Sequence, residues 1–194
     1  IRATFNGPLP PYVPGQALIL WLIGRIGVDG ARYQALEFAG SAIAAMGMDG
    51  RMTMANMAIE AGGKTGLFPV DETTLAYTRA AGRKHDKPLA ADPGAAYIRE
   101  VTCDVSSLDP MVACPHQPDN VKPVAEVSGV DIQQVIIGSC TNGRISDLRD
   151  AAAILRGRQV DKKVRCIVLP ATPAIWRQAL SEGLVETFMD AGCI

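Results

Sequence analysis

Apolar positions along the chain fall into short alternating or β-branched runs, separated by longer stretches with helical spacing. Residues 2–5 alternate polar and apolar and predict a strand. Asn6-Gly7 signals a turn, and Pro8, Pro10, Pro11 and Pro14 stiffen residues 7–15 into an extended connection. Residues 16–26 are apolar around much of a helical circumference, as a core helix is, and residues 27–30 end it. Residues 33–38 fit a strand, although Ala35-Leu36-Glu37 also suits a helix. Residues 39–48 are rich in Ala, Gly and Met, which pack helices closely. Met52, Met54, Met57 and Ile59 predict a helix over residues 49–61 whose methionine stripe faces the core. Residues 64–69 read as a short strand, and Asp71 as the N-cap of a helix over 72–81. Residues 81–93, charged and Pro-containing, read as a surface loop. The Val and Thr content of residues 96–108 favours a strand.

Residues 109–123 hold Pro110, Pro115, Pro118 and Pro123 with little periodicity, so an interdomain linker is expected there. That divides the chain into a first lobe, 1–115, and a second, 116–194. The second lobe has the cleaner βαβα pattern: strand 134–137, helix 144–155, strand 164–169, helix 173–182 with Pro173 near its start, and a helical stretch 184–190. The fold class is α/β.

Composition narrows the function classes. The chain has 194 residues, 48% of them hydrophobic and 20% charged, which is globular and argues against disorder. A formal net charge of −1 without a long basic run gives no electrostatic case for nucleic acid or for an anionic membrane surface. The apolar run at 17–26 is interrupted by Gly24 and Arg25 and is too short to span a bilayer. Cys103, Cys114, Cys140, Cys166 and Cys193 are odd in number and contain no Cys-x-x-Cys pair. A disulfide framework is therefore not expected, and a reducing, cytoplasmic setting is. Cys103, Cys114 and Cys166 have apolar or Pro-rich neighbours and read as structural. His85 and His116 lie in loops without motif context and read as surface residues.

Candidate chemistry centres on VIIGSCTNGRISDL, residues 135–148. A β-branched strand runs into a small polar turn with a cysteine, and a helix comes next. In open α/β sheets, ligands collect beyond the carboxyl ends of strands, beside helix N-termini. A thiol there meets unpaired N–H groups, which favour thiolate. Position alone leaves this reading of Cys140 level with that of a small buried filler. Asn56 and Glu60, four apart, share one face of the predicted helix. Spacing alone favours a solvated face.

GSCTN followed by RISDLRDAA resembles the cluster-binding turn of the aconitase superfamily, within it the 3-isopropylmalate dehydratase and homoaconitase-type large subunits. RIGVDG at 25–30, ANMAIEAGGKTGLFP at 55–69, DPGAAY at 92–97 and PVAEV at 123–127 extend the resemblance, in family order, over nearly the whole chain. The resemblance implies two three-layer α/β lobes. It implies that Cys140 is the first of three thiolate ligands of a 4Fe-4S cluster, with Thr141 and Asn142 beside it. It implies that Asn56 lies next to the cluster and Glu60 next to the iron-bound hydroxyl or water, across a shared cleft. The implied reaction is dehydration and rehydration of a hydroxy di- or tricarboxylic acid, foremost 2-isopropylmalate to 3-isopropylmalate in leucine biosynthesis. The implied partner is a small subunit or swivelling domain.

Departures from the pattern are equally legible. The family's remaining cluster ligands form a Cys-x-x-Cys beyond the last helix, and this sequence stops before it. Cys193 is read as unrelated to ligation. Upstream histidine-rich elements are absent, so an internal portion of a large subunit, without activity or a stable cluster by itself, is expected. The competing expectation is a non-catalytic scaffold of the same fold. An anion- or nucleotide-binding turn at 138–143 is weaker, because it lacks the GxGxxG and P-loop patterns. Arg144 and Arg149 lie near enough to the turn to meet a carboxylate, although helix-surface solvation is the favoured reading.

Overall fold

A computed structural model describes residues 1–83, 88–139 and 141–194. Cys140 and His85 lie outside the described residues. The chain forms two units, Ile1–Ser128 and Gly129–Ile194.

The first unit is built on a four-stranded parallel sheet. Its strands are β1 (Arg2–Asn6), β2 (Ala35–Ala39), β3 (Thr65–Leu67) and β4 (Glu100–Asp104), in the order β3-β2-β1-β4. Ala3 pairs in register with Phe38 and Val101, and Phe5 with Cys103. Period-two alternation therefore places Ala3, Phe5, Leu36, Phe38 and Cys103 on one buried face. Arg2, Thr4, Glu37, Glu100 and Thr102 occupy the other, and none of them is buried. Tyr97 donates its hydroxyl hydrogen to Glu37 on that polar face at 2.8 Å.

Crossovers supply the helices that cover the apolar face: α1 (Gly15–Ile26), α2 (Ser41–Ala45) and α3 (Met48–Met57), with α4 (Glu72–Ala80) before β4. Leu18, Ile19, Leu22 and Ile23 of α1, Ile43 of α2 and Met54 of α3 are fully buried with the sheet residues in one core. Asp71 caps α4 by accepting the Thr74 N–H at 3.1 Å, as the sequence predicts.

Residues 109–123 are not a linker. They form an antiparallel hairpin of β5 (Met111–Ala113) and β6 (Val121–Pro123), with Ala113 opposite Val121. Met111, Ala113 and Val121 pack against the first unit's core. Asn120 closes the turn by donating to the Pro115 carbonyl at 2.7 Å, and Asp119 accepts the Val28 N–H beyond α1. Proline sits at the strand edge and in the connection, where no ladder N–H is needed. The units divide at Ser128/Gly129, beyond the expected 115/116.

The second unit has its predicted pattern. It contains β7 (Gln134–Ile137), α5 (Ile145–Leu155), β8 (Arg165–Val168), α6 (Pro173–Ser181) and α7 (Leu184–Asp190). β7 and β8 are parallel, with Val135 opposite Cys166 and Ile137 opposite Val168. Leu148, Ala152, Ala179, Leu184, Val185 and Phe188 form a separate core under the strands. Thr172 caps α6, and Pro173 occupies its first turn. Among the described residues no helix is long and apolar enough to cross a membrane.

Candidate functional site

The candidate residues fall in both units, and each group is described within its own. In the first unit, Asn56 lies in the last turn of α3 and Glu60 in the 3-10 segment Ala58–Ala61; both are exposed. A single helix over 49–61 is the sequence expectation, and the structure corrects it. The tighter turn begins at Ala58 and ends in left-handed Gly62, whose N–H returns to the Ile59 carbonyl at 2.8 Å. Ala31 pins the segment by donating to the Ala61 carbonyl at 2.8 Å. Ile59, expected in the core, is 70% exposed, while Met54, Met57, Ala58 and Ala61 are buried in it; at ~100° per residue Ile59 stands about 140° from Met54, off the buried stripe.

The same helix is anchored by a residue that the methionine stripe conceals. Arg51 is in phase with Met54 and is only 1% exposed. Its Nε donates to the Met46 carbonyl at 2.9 Å, and Nη2 donates to Ile43 and Ala44 at the end of α2. Both terminal nitrogens reach the Asp71 carboxylate at 2.7 Å, and Nη1 also donates to Thr74 Oγ1 at 2.9 Å. A planar fork suits this bidentate geometry. The Arg51 hydrogen bonds hold the Asp71 carboxyl well below its usual range, at about 2, against the opposing effect of burial. The signal was available: a charge in phase with a core stripe needs a buried partner.

In the second unit, the turn after β7 is held from several sides. Ser139 Oγ accepts the Thr141 N–H at 3.1 Å and the Asn142 N–H at 3.5 Å. Asn142 donates its side-chain amide to Asp147 Oδ1 at 3.2 Å, and Asp147 Oδ2 accepts the Arg144 N–H at 2.9 Å. Asp147 thereby satisfies an orphan donor at the start of α5 while fixing Asn142. Gly138 (φ +104°) and Gly143 (φ +81°) have left-handed backbones, and a Cβ on either would collide with the Leu169 carbonyl oxygen. The turn can thus lie directly against the end of β8, where Ala171 donates to the Gly143 carbonyl at 2.9 Å. Thr141 and Asn142 are half-buried.

Two neighbouring cations differ. Arg149 makes a bidentate ion pair with Glu182 at 2.7–2.8 Å, which binds α5 to the end of α6. This pairing, with help from Gln178, draws the Glu182 carboxyl down to about 2. Arg144 Nε is shielded from solvent and has no hydrogen-bond partner among the described residues.

Among the described residues the donor set for an iron–sulfur cluster is incomplete. Among the described residues no three His, Cys, Asp or Glu side chains come together as a metal cage. Cys193 lies beside Cys166 in the second unit, and both are free thiols. A cubane with three protein thiolates therefore does not fit these residues alone.

A parallel sheet with helical crossovers and a glycine-framed polar turn at a strand's carboxyl end defines an α/β protein of the ligand-accepting type. The chain belongs to the aconitase family (aconitate hydratase), which it matches over residues 1–129 and 122–194. Over its whole length it is 68% identical to the 3-isopropylmalate dehydratase large subunit of Nitratidesulfovibrio vulgaris (strain DSM 19637 / Miyazaki F), covering 46% of that protein. It is 66% identical to the protein of that name from Oleidesulfovibrio alaskensis, again with 100% of the chain and 46% of the relative covered. The Heliobacterium modesticaldum large subunit is 55% identical over 99% of the chain, also with 46% of the relative covered. The chain thus spans about half the length of the curated relatives it matches.

Proposed function

We propose that the chain forms part of a hydro-lyase that isomerises a hydroxy di- or tricarboxylic acid by dehydration and rehydration, with 2-isopropylmalate to 3-isopropylmalate as its reaction. One observation carries the reading: end-to-end likeness to 3-isopropylmalate dehydratase large subunits, in a chain whose Gly138, Ser139, Thr141, Asn142 and Gly143 lie between a parallel strand and a helix. In this proposal Cys140 is one ligand of a 4Fe-4S cluster completed by thiols outside the chain, and Thr141 and Asn142 line it. The described residues make no complete cage by themselves.

The chain's own groups have definable tasks. Glu60 is an exposed carboxylate at the end of a pinned turn, suited to accepting a proton from a hydroxyl or water and returning it. Asn56, at the end of α3, presents an amide that can orient a substrate oxygen. Asn142 is held by Asp147, so its amide is pre-positioned. The small subunit or swivelling domain and a cytoplasmic setting complete the proposal.

The test uses the full-length large subunit with its small subunit. Glu60→Gln is expected to lower kcat by about 10²–10⁴ with little change in KM, the usual range for a lost acid–base group. Cys140→Ser is expected to abolish turnover and the visible iron–sulfur absorbance together. Full activity in Cys140→Ser would overturn the cluster role and favour the scaffold alternative.

A further inference from the structure

The second unit holds a pair of cysteines that the proposed reaction does not use. Ile194 donates its N–H to the Cys166 carbonyl at 2.8 Å and accepts the Val168 N–H at 2.8 Å. That exchange is the signature of a parallel bridge, with Ile194 alongside Ile167. Cys193, one residue earlier, therefore comes alongside Cys166 on β8. Its own N–H is fixed by the Phe188 carbonyl at the end of α7, at 2.9 Å. Both are free thiols, and each feels the other's charge. Neighbouring strands lie about 4.8 Å apart, within the ~4.4–6.8 Å Cα separation that a disulfide spans.

Access to the two sulfurs is unequal. Cys166 is 3% exposed, whereas Cys193 is half-buried at the edge of the unit. Burial, and then the hydrogen bond to Cys166, push the Cys193 thiol up to about 12.

We propose that Cys166 and Cys193 form a reversible dithiol–disulfide site, oxidised by a small peroxide. The Cys193 thiol gives up its proton to solvent and its sulfur attacks one peroxide oxygen; the O–O bond breaks, the leaving hydroxide takes a proton, and a sulfenic acid and one water result. The Cys166 sulfur then attacks the sulfenic sulfur, forming the S–S bond and releasing a second water. Two thiols give up two electrons and two protons, and the peroxide is reduced to two waters. The new bond ties the end of α7 to β8 and closes a loop around α6 and α7.

Hydrogen peroxide is the probe, applied to the 194-residue chain in buffer and, in parallel, in concentrated urea, with non-reducing peptide mapping as the readout. In buffer, a peptide cross-link between Cys166 and Cys193 should dominate over every other cysteine pair, and dithiothreitol should reverse it. In urea, pairing should become statistical. Cys193→Ser should abolish the dominant cross-link, whereas Cys103→Ser should leave it in place. The oxidised chain should unfold at a higher temperature than the reduced one. Identical cross-link distributions in buffer and urea, or over-oxidation of Cys193 without bonding to Cys166, would overturn the proposal.

Discussion

Replacing Asp71 by asparagine isolates the charge in the Arg51 clamp, because the amide oxygen can still accept the Thr74 N–H that caps α4. The substitution removes the carboxylate facing both terminal nitrogens of a buried guanidinium. Depressing the Asp71 pKa from 3.8 to about 2 would correspond to at most roughly 2.5 kcal/mol, at about 1.4 kcal/mol per tenfold change in proton affinity. Asp71 is 33% exposed, so solvent screening reduces the expected loss to about 1–2 kcal/mol. Linkage sets the sign. The folded-state pKa lies below the unfolded one, so the stabilisation is complete above the unfolded value and fades as pH falls from about 4 towards 2. Urea unfolding monitored by Trp21 fluorescence in a Trp176→Phe background reports the first unit, since the chain has 2 tryptophans. Asp71→Asn should lower the stability of that unit by about 1–2 kcal/mol near neutral pH, with the deficit roughly halved by about pH 3. An equal deficit at both pH values, or none at neutral pH, would refute the electrostatic account of the clamp.

Two further substitutions probe the local geometry. Gly143→Ala should destabilise the second unit by at least about 1–2 kcal/mol, because an L side chain would occupy a left-handed backbone against the Leu169 carbonyl; Trp176 fluorescence during urea unfolding of a Trp21→Phe background reads the change. Ile59→Gln should shift first-unit stability by no more than about 0.5 kcal/mol, whereas Met54→Ala should cost about 2–5 kcal/mol, since Ile59 is 70% exposed and Met54 fully buried. Comparable losses at the two positions would contradict the burial of Met54 and the outward placement of Ile59.

Local physics made much of the chain legible. Val135 to Ile137, Gly138, Gly143 and the apolar spacing of Leu148 and Ala152 specify strand, turn and helix within a few residues of one another. Thr172 with Pro173, and Asp71 before Glu72, announce helix starts by chemistry that acts over one turn. The features that escaped were set from a distance. Ile59 is an exception, since at ~100° per residue it stands about 140° from Met54 and so off the buried stripe. The roles of Arg51 and Arg149 emerged only when Asp71 and Glu182 arrived from other helices. Of the candidate site, the turn and its Asp147 brace are consequences of helix-start chemistry. The assignment of Cys140, Asn56 and Glu60 to a reaction rested on family likeness, because spacing alone cannot distinguish a solvated amide and acid from working ones.

The β5–β6 hairpin has a practical consequence for anyone dissecting this molecule. Cutting in the proline-rich stretch at residue 115 would remove Val121 with all of β6, leave Met111 and Ala113 on an unpaired β5, and wet the side of α1 that the hairpin shelters. A severed piece ending at residue 115 should be sticky and poorly soluble, whereas one carried through Ser128 keeps its own cover.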